Sequence, residues 1–232
     1  MSDYPDLKEL KTKGVKLLIF DLDGTLLDSM NVWNKVDIDF LGRYGYEVTP
    51  EYTDVVKRVS VDEAALYTKK RFRIPLSPQE IIAEWDKMVS GFYQNEVLLK
   101  PNVRAYLEDA KRLGFRMGVA TALTRNNAVA GLTRNRILQD FDAVITLEDV
   151  GKKIDKSSPD IFIKVLNYVN AGGGSITPSQ TLVYDDVAAA AQGARNGGFL
   201  TCAVYDEIGC GDPVKWESFA AECDYSVKEF LI

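Results

Sequence analysis

The sequence predicts an α/β fold in three layers, a parallel sheet covered by helices on both faces, with an all-helical segment inserted after the first strand. After residue 101, short apolar runs alternate strictly with helical patterns, as parallel strands joined by helical crossovers do. The run Leu17, Leu18, Ile19, Phe20 is apolar at every position, the pattern of a strand buried on both faces. From Met30 to Tyr93 the period is helical throughout, without a convincing strand. Residues 1–28 and 101–232 are therefore expected to form the α/β core and 29–100 the insert. A chain of 232 residues has a length prior of about 1.5 domains, which accommodates a core carrying a smaller module.

Taken in order, residues 1–15 are a polar lead-in with a short helix, followed by the first strand at 17–20. Met30, Trp33, Val36, Phe40, Leu41 and Tyr44 recur at three- and four-residue steps and make an amphipathic helix ending near 42–45. Thr49 and Pro50 read as N-cap and N1 of a second helix, with Val55, Val56 and Val59 inward. Ser60 with Glu63 forms a capping box for a third. Ser77, Pro78 and Glu80 open a fourth, whose Ile81, Ile82, Trp85, Met88, Val89 and Phe92 form one stripe. Trp33 and Trp85 are both expected in the insert's core. A helix at 102–113 then leads into strand 116–121, helix 124–136, strand 141–146, helix 158–169, strand 181–186, helix 187–196 and strand 199–205. A helix opening at Asp212–Pro213 and a short edge strand near Tyr225 complete a Rossmann-like sheet.

Composition narrows the chemistry. Hydrophobic residues at 46% and charged residues at 27% are ordinary for a globular protein. The acidic opening MSDYPDLKEL has no apolar h-region and no stretch approaches membrane-spanning length, so neither export nor membrane insertion is expected. Cys202, Cys210 and Cys223 are odd in number and lack metal-ligand spacing, which suits reduced thiols in the cytoplasm. The chain has no His, which removes Ser-His-Asp and Cys-His catalysis and His-ligated zinc together. Catalysis must rest on carboxylates, hydroxyls and Lys or Arg. With a net charge of −6 and no basic stripe, nucleic acid is not an expected partner, and an anionic small molecule needs local cations or a metal to be held.

Those requirements meet at one edge of the predicted sheet. Asp21 and Asp23 follow the first strand directly, and two carboxylates this close repel unless a cation or proton lies between them. Strand 116–121 ends in Thr121, strand 181–186 ends in Asp185 and Asp186, and Lys156 precedes the helix starting near 158. Parallel strands place all their carboxyl ends on one edge, so Asp21, Thr121 and the Asp185/Asp186 pair converge there. Taken singly, Thr121 is equally a good strand former, Lys156 a solvated lysine beside Lys152 and Lys153, and Asp185 or Asp186 a helix N-cap. Two further charge or glycine clusters read as structural. Lys69, Lys70, Arg71 and Arg73 suit a solvated helix end, and Gly172–Gly173–Gly174 lacks the Gly-Lys-Ser/Thr of a phosphate loop.

The Asp21-Leu-Asp23-Gly-Thr25 stretch resembles the first motif of the haloacid dehalogenase superfamily, and Thr121, Lys156 and Asp185/Asp186 are similar to its second, third and fourth motifs in order and character. The helical segment between the first and second motifs resembles the cap of β-phosphoglucomutase-like and phosphoglycolate-phosphatase-like members. Two positions depart from the usual pattern: the third motif reads Lys-Ser-Ser-Pro-Asp where many relatives have Lys-Pro-x-Pro-Asp, and the fourth reads Asp-Asp-Val where Ser or Thr commonly follows. The resemblance implies an Mg²⁺-dependent phosphatase acting on a small phosphorylated metabolite. In that reading Asp21 attacks phosphorus and Asp23 is general acid and base. Thr121, Ala122 and Lys156 hold substrate, and Asp21, the Asp23 carbonyl, Asp185 and Asp186 hold Mg²⁺. A sugar phosphomutase shares this core, but the sequence has no obvious Thr-Arg-x-Gly cap signature. Dehalogenases differ at the second Asp, and a non-catalytic phosphometabolite-binding protein is disfavoured by the intact charged groups.

Overall fold

The computed structural model describes residues 3–231 apart from 57, 58, 60, 152–154 and 211. The chain divides into two compact units, one of residues 1–30 and 97–232 and one of residues 31–96.

The α/β unit begins with α1 (Leu7–Thr12), whose N-cap Asp6 accepts from the Glu9 N–H. β1 (Leu17–Phe20) follows, and all four of its side chains are wholly buried. A run with no polar face has to lie inside a sheet covered on both sides. Within the helical unit come α2 (Val32–Gly42), α3 (Pro50–Val56), α4 (Val61–Phe72) and α5 (Pro78–Asn95). The chain then forms α6 (Val103–Arg112), β2 (Arg116–Thr121), α7 (Arg125–Arg134), β3 (Ala143–Thr146), α8 (Asp160–Asn170), β4 (Thr181–Asp185), α9 (Ala188–Asn196), β5 (Leu200–Val204), α10 (Glu207–Cys210), α11 (Pro213–Glu222) and β6 (Tyr225–Val227).

The six strands pair in the order β3-β2-β1-β4-β5-β6, every pair parallel. β1 is central, with Phe20 opposite Val119 on one side and Tyr184 on the other. One sheet face is covered by α8, whose Ile161, Phe162, Val165 and Leu166 join Leu17, Ile19, Ala143 and Ile145 in one buried cluster. A second cluster seats Trp216, Phe219 and Ala220 of α11 against Ala203 of β5. The α/β architecture read from the sequence is present, including the edge strand at Tyr225.

Leaving and re-entering this unit, the chain is tied to itself. Leu27 and Leu99 form an antiparallel bridge. It is flanked by hydrogen bonds from Asp28 N–H to the Leu98 carbonyl and from Lys100 N–H to the Leu26 carbonyl, both 2.9 Å.

In the helical unit, the capping box of Ser77 and Glu80 is formed in both directions and Pro78 opens α5. Thr49 Oγ1 accepts from the Tyr52 N–H at the start of α3. The box expected at Ser60 lies outside the described residues, as do Lys152 and Lys153 and the side chain of Cys210. Two expectations about this unit's core are corrected. Trp85 is buried, but Trp33 is half exposed, because Val36, Phe40 and Leu41 already fill the inward face of α2 and leave Trp33 outside it. Val59 lies beyond the end of α3 and is exposed, and the residue α3 buries is Tyr52, a larger apolar body.

Candidate active site

The central position of β1 fixes where its aspartates go. Asp21 extends the strand by one residue, its N–H bonded to the Tyr184 carbonyl at 2.9 Å. Asp185 closes the neighbouring β4. Asp21, Asp185 and Asp186 are all buried, and one carboxylate oxygen from each lies within 4.8 Å of the others.

Lys156 enters this cluster from the loop before α8. Its ammonium donates to Asp21 Oδ1 at 2.6 Å and to Asp185 Oδ2 at 2.8 Å, and its side chain is 11% exposed. The turn around it is built by Asp155, whose Oδ1 accepts from both the N–H and the hydroxyl of Ser157. A proline at 157 has no N–H to give, so the departure from the usual third motif has a local use. α9 leaves room for this turn at Gly193, where a Cβ would meet the Lys156 carbonyl at 2.2 Å.

The fourth-motif pair divides its work. Asp185 commits both oxygens, Oδ1 accepting from the Val187 N–H at 3.0 Å and Oδ2 from Lys156. It thus closes a turn onto Val187, the N-cap residue of α9, as well as belonging to the acidic cluster, and neither aspartate of the pair caps the helix itself. Asp186 Oδ2 lies against Gly24, where a Cβ would stand 2.4 Å away, and Gly24 itself turns with φ +72°. The positive φ favours glycine, and a Cβ there would push the Asp186 carboxylate aside.

Asp23 is placed beside the cluster and not in it. Its carboxylate is outside the three-carboxylate group, and its Oδ1 accepts from Ser29 Oγ at 2.5 Å. Thr121 is buried at the end of β2, its Oγ1 accepting from the Leu123 N–H at 3.2 Å, and Ala122 beyond it is exposed. Sequence reasoning missed Ser29, since a serine after a strand-turn has no signature of its partner. It also missed Lys100, a largely enclosed lysine whose ammonium reaches Asp206 Oδ2 at 3.2 Å. The hydroxyl of Thr25 is buried without a hydrogen-bond partner among the described residues.

The electrostatics follow from enclosure. Burial pushes the Asp21 carboxyl well above the usual range; the Lys156 ammonium opposes this, and Asp185, Asp186 and Asp23 add to it. Asp186 is pushed up to about 7, by burial first and then by Asp185. At Lys156 burial works against the charge, but Asp185 and Asp21 outweigh it and hold the ammonium above its ordinary value. Three carboxylates facing one ammonium are short of positive charge, and a proton or a cation has to make up the difference. The donors are all oxygen, the set preferred by hard divalent cations, so the residues present fit such an ion.

Comparison with known proteins gives the family and the fold. The family model described as haloacid dehalogenase-like hydrolase matches residues 18–204. Protein CbbY of Rhodobacter capsulatus is 26% identical over 210 residues, covering 85% of this chain and 88% of that protein. Pyrophosphatase PpaX of Bacillus mycoides is 25% identical over 191 residues, 82% of this chain and 83% of its own. Among solved structures, a putative β-phosphoglucomutase from Thermotoga maritima superposes with a TM-score of 0.79 at 20% identity, covering 92% of this chain and 94% of that one. At that identity the likeness is one of fold.

Proposed function

The chain belongs to the haloacid dehalogenase-like hydrolase family, and from that premise we propose that it is an Mg²⁺-dependent phosphatase of a small phosphorylated metabolite. The observation that supports this most is the bridge from Lys156 to Asp21 and Asp185 beside Asp186, a buried acidic cluster at the strand ends with one fixed cation. Relatives named as a pyrophosphatase and a glycerol-3-phosphatase lean the same way. In this reading residues 29–100 act as the cap module, and the free thiols Cys202 and Cys223 suit a cytoplasmic enzyme.

Asp21 supplies the nucleophile. Its carboxylate forms a bond to phosphorus as the ester P–O bond breaks in line, and Asp23 gives its proton to the departing oxygen. Water then attacks the aspartyl-phosphate, Asp23 takes a proton from it, and the Asp21–phosphorus bond breaks to free phosphate and regenerate the carboxylate. The Ser29 hydroxyl orients Asp23 for both transfers. Lys156 holds Asp21 in place and, with Thr121 and the backbone at Ala122, receives the phosphoryl oxygens. Asp21, the Asp23 carbonyl and Asp186 would hold Mg²⁺, with Asp185 fixed behind them by Lys156 and Val187. Bound there, the ion supplies positive charge that offsets the repulsion between carboxylate and phosphate.

Purified protein is expected to release phosphate from a generic aryl phosphate only with Mg²⁺, and Asp21→Asn to abolish release. Robust turnover by that variant overturns the proposal. Glucose 1-phosphate in the same panel, followed by NMR, separates hydrolysis from conversion to glucose 6-phosphate and so tests the phosphomutase alternative.

A further inference from the structure

Lys100 has no part in the chemistry above, yet its side chain is only 16% exposed and that of Asp206 only 8%. A lysine leaves water at little cost only when its ammonium finds a full set of acceptors. Lys100 Nζ has three: the Gly24 carbonyl at 2.7 Å, the Tyr205 carbonyl at 2.6 Å and Asp206 Oδ2 at 3.2 Å. Asp206 uses its other oxygen as well, Oδ1 accepting from the N–H groups of Ile208 and Gly209 at 3.0 and 2.9 Å.

The two glycine backbones gripped in this way are the ones Asp186 rests against. A Cβ at Gly24 would meet Asp186 Oδ2 at 2.4 Å, and a Cβ at Gly209 would meet the same oxygen at 2.8 Å. One glycine hangs from the Lys100 ammonium through its carbonyl, the other from Asp206 through its N–H. We propose that the Lys100–Asp206 pair is a positioning device for Asp186: it sets the gap between Gly24 and Gly209 and so orients the carboxylate that faces a bound divalent cation. This rests on the reading of Asp186 as a direct metal ligand. Residues that orient ligating carboxylates change metal affinity by about 10- to 100-fold when removed.

The sign of the effect separates positioning from simple charge. As a nearby positive charge, Lys100 repels a divalent cation, so its loss should tighten binding. As a positioning residue, its loss should loosen binding. The test is calorimetric titration of the metal-free full-length protein with MgCl₂, without substrate. Lys100→Met is expected to bind Mg²⁺ about tenfold more weakly than wild type, while Lys111→Ala, which removes an exposed ion pair with Asp140, is expected to bind as wild type does. Equal or tighter binding by Lys100→Met overturns the proposal. If that variant lacks a cooperative melt, Lys100→Arg decides: it keeps the charge but cannot place three donors on the same acceptors, so weaker binding supports positioning and unchanged binding overturns it. Failure of wild type to bind Mg²⁺ overturns the metal reading of the site itself, a result distinct from a normal wild type with an unaffected Lys100→Met.

Discussion

Asp186 in the α/β unit and Asp37 in the helical unit are both carboxyls held above their ordinary range, at about 7 and about 6, and burial is the leading cause at each. Their surroundings differ. Asp37 lies among hydroxyls: Tyr52 OH is 3.1 Å from Asp37 Oδ1 and 2.9 Å from Thr68 Oγ1, and Thr68 Oγ1 is 2.8 Å from the Ala64 carbonyl. Those three contacts need three hydrogens, and the two hydroxyls own only two. With Tyr52 donating to Asp37 and Thr68 to the Ala64 carbonyl, the Tyr52–Thr68 contact lacks a hydrogen unless Asp37 carries one. Asp186 lies among carboxylates, where a proton relieves repulsion but leaves Asp21 and Asp185 sharing a single ammonium. Counting hydrogens in one region and charges in the other separates a buried acid that completes a structure from one that calls for a ligand.

The largest expected effect tests the proton on the α/β side. Asp23→Asn should lower turnover of an aryl phosphate by about 10²- to 10⁴-fold, the range of a lost general acid and base. A loss confined to KM would place Asp23 in binding and break the contrast. Next comes the single ammonium. Lys156→Met should lower kcat/KM about 10²- to 10³-fold, as loss of a preorganised donor to a developing anion does, and near-normal activity would show that the cluster's charge is met elsewhere. The smallest effect belongs to the helical side. Because the folded-state pKa of Asp37 is raised, the folded protein binds its proton more tightly than the unfolded chain. Its stability contribution is therefore full below the ordinary carboxylate range and is lost as pH rises past about 6. Asp37→Asn, whose amide supplies the missing hydrogen at every pH, should remove that dependence and melt higher at pH 8, by about 1–2 kcal/mol after allowing for partial exposure. Parallel melting curves for the two proteins from pH 5 to 8 would break the hydrogen count.

What could be read from the sequence follows the same division between pattern and partner. β1 declared itself because four apolar residues in a row have one home in a parallel sheet, and the strand-end rule then brought Asp21 and Asp185 together without reference to relatives. Lys156 was legible only through the family resemblance, since nothing in a basic loop marks one lysine as enclosed. Lys100 and Ser29 left no trace. Their partners are two carbonyls and a carboxylate in one case and a carboxylate on a turn in the other, and neither backbone acceptors nor loop geometry have a residue-type signature. Trp33 misled for a different reason: a short helix with apolar residues around more than one face does not fix which of them turns inward.

The antiparallel bridge between Leu27 and Leu99 joins the chain's exit from the α/β unit to its return. Closing a flexible loop of this length carries an entropic cost that grows only slowly with the number of residues, by about 0.6 kcal/mol for each doubling. That cost is met once, by backbone bonds belonging wholly to the α/β unit. The strand pairing of the sheet therefore draws none of its hydrogen bonds from the helices between these two anchors, and changes in their length are expected to leave the cluster of aspartates where it is.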